Sequence, residues 1–313
     1  MNGESSSPMQ PVGSQPRQAA DCRSLVPLRA ALAIARNWCG ITLAIAAYSM
    51  IDAPLLYPVA VLLIGACQHG LAILAHDGAH RLLFRRASIN DRVSELLLAW
   101  PLFASFAKYR NEHLDHHRHL NSGNDPDWAR NRPDQLAGKA SLAARAAHLL
   151  GVSHALSTVR GFMLPAGQGE SISPRGVPVR AVYYLALAVA LSVSGHWLDF
   201  VLLWVVPYAL VFLPLMRLRG IMEHWLAGSE GAGTRSVLMN PWLGFVFFPH
   251  NIGYHVEHHD CPAIPFYRLP EYARENRLRL FDGTDERRRV VGLRGMIAEL
   301  LALLNPGTRV SER

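Results

Sequence analysis

Residues 55–80, LLYPVAVLLIGACQHGLAILAHDGAH, join an apolar run to two histidines spaced four residues apart, and they decide how the chain is organised. From Leu55 to Ala75 only Gln68 and His69 interrupt the apolar side chains. A helix of that length crosses a hydrocarbon layer of about 30 Å. At about 1.5 Å per residue, His76 and His80 fall roughly 32 and 38 Å beyond Leu55, just past the far edge of the layer. Their i, i+4 spacing places both imidazoles on one helix face.

The flanking sequence extends this pattern. Ala30 to Ile51 is apolar apart from Arg36 and Asn37, and Pro54 and Pro58 break the short connection, so two helices form a tight hairpin. A second hairpin is expected from Ala181–Ser194 and Trp197–Met216, turning at Gly195 and His196, with its first helix starting near Val177. The expected spans are therefore about 30–51, 55–75, 179–194 and 197–216. Composition agrees: half of the 313 residues are hydrophobic, 18% are charged and the mean hydropathy is +0.11. These values describe a membrane protein rather than two soluble domains.

The net charge of +7 brings no nucleic-acid partner with it, because no basic stripe interleaved with aromatics accompanies it. Instead the 31 Lys and Arg residues report orientation. Four lie at or before Arg36, fourteen between Arg81 and Arg180, thirteen from Arg217 onward, and none at the hairpin tips. Basic flanks stay cytoplasmic, which assigns both termini and residues 75–177 to that side of a multi-pass protein, expected in a bacterial inner membrane. Residues 1–24, rich in Ser, Pro, Gln and Gly, read as a disordered tail and not a signal peptide. Residues 25–275 form the membrane domain and 276–313 a cytoplasmic helical segment. Leu96–Phe106, eleven residues containing Trp100 and Pro101, is too short to span and reads as re-entrant or interfacial.

Composition leaves fifteen histidines to explain. Cys22, Cys39, Cys67 and Cys261 are too far apart for a metal knuckle or a redox pair, so a metal would be held by imidazole. His113, His116 and His117 in HLDHH, and His255, His258 and His259 in HVEHH, each combine an i, i+3, i+4 face with an adjacent residue. Adjacent helical residues diverge by about 100°, so one turn reaches two ions. His224 follows a fourth apolar run, about 40 Å from Trp197 if that helix continues. Four segments thus bring nine histidines to one level, enough for two ions with positions left for oxygen or water. Imidazole suits Fe, Zn, Cu and Ni alike, and redox-active iron is the natural candidate beside lipid. A metal transporter would instead need ligands at the bilayer midplane, where only Gln68 and His69 stand.

The three motifs, HDGAH at 76–80, HLDHH at 113–117 and HVEHH at 255–259, on a four-helix apolar chain resemble the membrane fatty acid desaturases over about 52–270. Tyr109-Arg110, Asn124-Asp125-Pro126-Asp127 and Asn251-Ile-Gly-Tyr-His sharpen the resemblance toward acyl-lipid and sphingolipid desaturases. It implies an all-α integral membrane protein: four transmembrane helices in two hairpins under a cytoplasmic helical cap that holds a di-iron site. It further implies that two Fe2+ ions are bound by His76, His80, His113, His116, His117, His224, His255, His258 and His259, with Asn251 approaching the metal through water. O2 and two electrons would remove two hydrogens from an acyl lipid, acyl-CoA or acyl-carrier-protein chain. A hydroxylase or acetylenase of the same architecture is the alternative. No His-Pro-Gly-Gly haem motif is present, so a separate ferredoxin, rubredoxin or cytochrome with its reductase is the expected donor.

Carboxylates beside the ligands, Asp77, Asp115, Glu223 and Glu257, point away from the metal bound by their neighbours and are expected to accept from imidazoles on other segments. Asp125 and Asp127 are expected to do the same. His69 is expected to be a hydrogen-bonded histidine facing the bundle, and His119 and His250 to lie off the metal spacing. Arg287-Arg288-Arg289 is a candidate contact for an acidic carrier, headgroup or donor, or a solvated helix face.

Overall fold

A computed structural model describes residues 24–51, 53–127, 141, 143–144, 147, 176–225, 234–281 and 289–304. The tail before Ser24, Arg287, Arg288, His148 and His154 fall outside these residues. α1 (Pro27–Met50) and α2 (Leu56–Ala79) form the first hairpin. α3 (Ala87–Val93) runs on through a π stretch, Ser94–Ala99, and a 3-10 turn, Trp100–Leu102, and α4 (Phe106–His119) follows. α5 (Gly176–Ser194) turns at Gly195 and His196 into α6, a continuous rod from Trp197 to His224 with π stretches at Val201–Val205, Tyr208–Phe212 and Ile221–Trp225. α7 (Pro241–Phe247), α8 (His255–Asp260), α9 (Leu269–Leu280) and α10 (Gly292–Leu304) complete the helices.

Three helices, α1, α2 and α6, are long and apolar enough to cross a membrane, and α5 contributes a shorter apolar stretch, Val179–Ser194. α2 is the central post: 72% of its apolar window is buried, against 28% for α1 and 33% for α6. Small residues let its neighbours approach closely, as helices packing in lipid require. A Cβ on Gly65 would collide with the Val211 side chain of α6 and sit 3.0 Å from the Pro207 carbonyl, and one on Gly70 would collide with Asn37 of α1. Gly65→Val should therefore cost about 1–3 kcal/mol through overpacking. Thermal unfolding of the purified protein in detergent checks this, and a variant that melts with the parent would refute the close α2–α6 contact.

Within the segment 96–106 the 3-10 turn Trp100–Leu102 ends at Phe103, which is left-handed with φ of 58°. In lipid the segment's loosened backbone needs partners from neighbouring helices. Tyr184 Oη donates to the Trp100 carbonyl at 2.8 Å, Trp204 Nε1 to that of Pro101 at 3.0 Å, and Trp38 Nε1 to that of Leu97 at 3.1 Å. α2 serves the π stretches of α6 in the same way: Tyr57 Oη donates to Leu202 O and Gln68 Nε2 to Trp204 O, each at 3.1 Å.

One feature departs from the expected all-helical layout. A short parallel ladder pairs β1 (Ser236–Leu238) with β2 (Arg289–Val291), register Ser236 to Arg289. Three-residue strands are too short to leave a readable alternation. Beyond α9, Val290 and Met296 pack with Ile73, Met222, Val237, Phe248 and Ile252. Val290 and Met296 thus pack against the elements that carry the site.

Candidate metal centre

The two hairpin tips lie at one end of the long helices, and the histidines of the three motifs, with His224, at the other. α2 ends at His76 and His80 because Asn90, fully buried, closes the turn beyond it. Its Nδ2 donates to Gly78 O at 2.8 Å and its Oδ1 accepts from Leu83 N at 3.2 Å. Ser105 caps α4 by accepting from Lys108 N, and the ring of Tyr109 stacks on His113 at 5.6 Å. Arg110 pairs with Asp91 at 3.3 Å. β1 fixes α8: Val237 N donates to Gly253 O at 2.7 Å, and Ser236 Oγ accepts from Val256 N at 3.0 Å while donating to Glu257.

These elements gather the eight motif histidines and His224. His76, His80, His113, His117 and His258 present ligand atoms within 4.8 Å of one another, as do His116, His224 and His259; His255 joins His224 with Glu223. Because adjacent positions diverge, α4 sends His113 and His117 to the first group and His116 to the second, and α8 sends His258 to the first and His255 and His259 to the second.

The nitrogen contacts fit metal ligation better than hydrogen bonding. His113 Nε2 lies 2.7 Å from His80 Nε2 and 3.1 Å from His117 Nε2, which is itself 3.0 Å from His258 Nε2. His255 Nε2 lies 2.9 Å from His224 Nε2 and 3.1 Å from His259 Nε2. A neutral ring nitrogen has either one hydrogen or one in-plane lone pair, so it cannot bond two such neighbours well. Lone pairs aimed at right angles on one cation about 2.1 Å away would lie about 3 Å apart. His76 Nε2 and His116 Nε2 are buried without a hydrogen-bond partner. The residues present therefore fit metal ions held by imidazole. Burial drives the pKa of His80 down to about 4, with the Arg110 charge adding to the effect, and that of His117 to about 3, with His80 and His116 adding. Both are neutral near pH 7, with lone pairs available.

The carboxylates divide by partner. Asp125 accepts from His116 Nδ1 at 2.9 and 3.0 Å and from the backbone of Asn121 and Asp127 at 2.8 and 2.9 Å. Burial works to raise its pKa, but the bond from His116 and the backbone donors hold it below the ordinary carboxylate range. This fixes the His116 proton on Nδ1 and leaves the Nε2 lone pair available to a cation. Glu223 pairs with Arg219 and comes within 3.6 Å of His255 Nδ1. The expectation of imidazole partners fails for Asp115, which forms a half-exposed pair with Arg118 at 2.7 Å because its position on α4 faces solvent. Asp77 takes the backbone N–H of Phe266 at 2.9 Å, with His76 Nδ1 at 3.7 Å, too far for a hydrogen bond, and Glu257 takes the Ser236 hydroxyl. Asp127 lines a cavity of about 200 Å3 that also touches His76, His113, His116 and His224.

Other histidines stand apart. His69 Nδ1 bonds the Val246 carbonyl at 3.1 Å, and buried His250 meets Asn37 Nδ2 at 2.9 Å. Asn251 Nδ2 donates to Phe266 O at 3.0 Å. Sequence reasoning missed Ser236, Asn90 and Arg219; no spacing marks them, since each is defined by what a distant segment brings to it.

The fatty acid desaturase family model matches residues 52–283. Dihydrorhizobitoxine desaturase of Bradyrhizobium elkanii is 31% identical over 68% of this chain and 66% of its own length. The sphingolipid delta(4)-desaturase/C4-monooxygenase of Homo sapiens is 30% identical over 66% of this chain and 61% of its own. Beta-carotene ketolase of Paracoccus sp. (strain PC1) is 28% identical over 64% and 72%. The chain thus spans a little under two thirds of the length of the two desaturase relatives. With the family model covering α2, the second hairpin and all three histidine motifs, the chain belongs to the fatty acid desaturase family.

Proposed function

We propose that the chain is an O2-dependent membrane oxidoreductase that introduces a C=C bond into an aliphatic chain, using two iron ions held by the eight motif histidines and His224. The observation that carries this reading is the sorting of those histidines into two groups, with α4 and α8 each feeding both. Iron would supply the oxidising power that no side chain has for an unactivated C–H bond. The protein's own residues hold the imidazoles neutral, fix the His116 proton through Asp125 and enclose the site. The balance is R–CH2–CH2–R′ + O2 + 2e− + 2H+ → R–CH=CH–R′ + 2H2O, with the electrons brought by a separate ferredoxin, rubredoxin or cytochrome. On this reading the substrate is an acyl lipid, acyl-CoA or acyl-carrier-protein chain, and the histidine end of the bundle, with both termini, faces the cytoplasm.

A second reading, oxygen insertion, is favoured by a specific observation: two of the relatives are named as a ketolase and a monooxygenase. Expression in a host lacking desaturases, followed by mass spectrometry of extracted lipids and acyl carriers, separates the two. A new species about 2 Da lighter than its precursor is expected. A product about 16 Da heavier, with no lighter one, would replace desaturation by hydroxylation.

A further inference from the structure

Asp77 and Asn251 are both adjacent to the histidine motifs, yet in the structure each is committed to the same backbone residue. Asp77 Oδ2 accepts from Phe266 N at 2.9 Å, and Asn251 Nδ2 donates to Phe266 O at 3.0 Å. Asp77 is 2% exposed, and the separation of 189 positions from Phe266 makes this a tie between distant parts of the chain. Asn251 reaches its partner because His250 and Asn251 are both left-handed, with φ of 53° and 59°. Two consecutive non-glycine residues in that region are costly and persist only where surrounding contacts hold them. Here His250 is held by Asn37 of α1 and Asn251 by Phe266.

We infer that Asp77, Asn251 and the Phe266 peptide groups form a clamp that sets the distance between α2, which carries His76 and His80, and α8, which carries His255, His258 and His259. Both residues are positioning residues, and neither acts through a contact with metal or water. The Asp77 carboxylate serves as a shaped acceptor for an N–H and not as a charge. An amide at that position still accepts, whereas a methyl group does not.

The test uses the full chain in detergent, with two readouts. The first, backbone hydrogen exchange of the peptide containing Phe266 in metal-free protein, does not depend on the metal. Asp77→Ala should speed exchange there about tenfold or more, the loss expected when a buried N–H is left without its acceptor, and Asp77→Asn should stay within about threefold of the parent. The second is iron bound per chain at subsaturating ferrous ion, which rests on the reading of the histidines as ligands. Asp77→Ala and Asn251→Ala should each weaken binding about 10-fold or more, Asp77→Asn should largely restore it, and the double alanine variant should be little worse than either single one. Asp77→Asn exchanging and binding as poorly as Asp77→Ala would overturn the clamp in favour of a charge effect. So would additive losses in the double variant. If Asp77→Ala does not fold, Asn251→Asp, which keeps size but loses the donor, takes its place and should fail in the same way; parent-like exchange and binding in it would overturn the clamp. If the parent binds no iron while the exchange results hold, the metal-centre reading fails and the clamp stands.

Discussion

Replacing His116 or His258 by alanine should lower bound iron from about two ions per chain to fewer than one. Product formation should fall by at least about 100-fold, beyond the 10–100-fold typical of outer ligand contacts. The two positions sample different groups: His258 belongs with His76, His80, His113 and His117, and His116 with His224 and His259. The loss should nevertheless be shared, because α4 and α8 hold both groups and an imidazole left without its cation faces like groups in a buried site. His119→Ala is the control: exposed on α4 and two residues from His117, it should keep the parent's iron content. Elemental analysis of purified protein alongside product assay measures both quantities. Full iron content in either His116→Ala or His258→Ala would remove that residue from the ligand set.

Asp125→Leu should be the most damaging change at a residue outside the histidines. The carboxylate is buried, holds the His116 ring by two contacts and is itself held by two backbone N–H groups. Leucine leaves the Nδ1 hydrogen without an acceptor and the turn after α4 without its anchor. Ferrous affinity should fall by about 10–100-fold, with some loss of thermal stability. Asp125→Asn separates the contributions, since its Oδ1 can still accept from His116 while the charge is gone. Metal titration followed by mass spectrometric elemental analysis tests the prediction. Leucine and wild-type proteins binding iron equally would show that His116 needs no partner on Nδ1.

The helices that position the site were legible because lipid demands long apolar runs, and residues 30–51, 55–75 and 197–216 supply them without ambiguity. α6 runs on past Met216 to His224 through π stretches that no hydropathy pattern announces. The nine histidines were legible as well: eight by i, i+4 or i, i+3, i+4 spacing, a local property of a helix, and His224 by its place after an apolar run. Their sorting between groups depends on how α4 and α8 face one another, which local spacing does not contain. The carboxylates were least legible. A neighbour of a ligand does point away from that ligand's metal, but what it then meets is set by distant chain: a backbone amide for Asp77, a serine on β1 for Glu257, an arginine in solvent for Asp115.

The division of α4 and α8 between the two groups carries a consequence for how the centre keeps its dimensions. His116 and His117 are consecutive, as are His258 and His259, and each pair points into different groups. The spacing between the groups is therefore ruled by the covalent length of one peptide unit and the pitch of one helical turn, used twice. Membrane helices tilt and slide against each other as the bilayer changes thickness, but a gauge cut into single turns does not stretch with them.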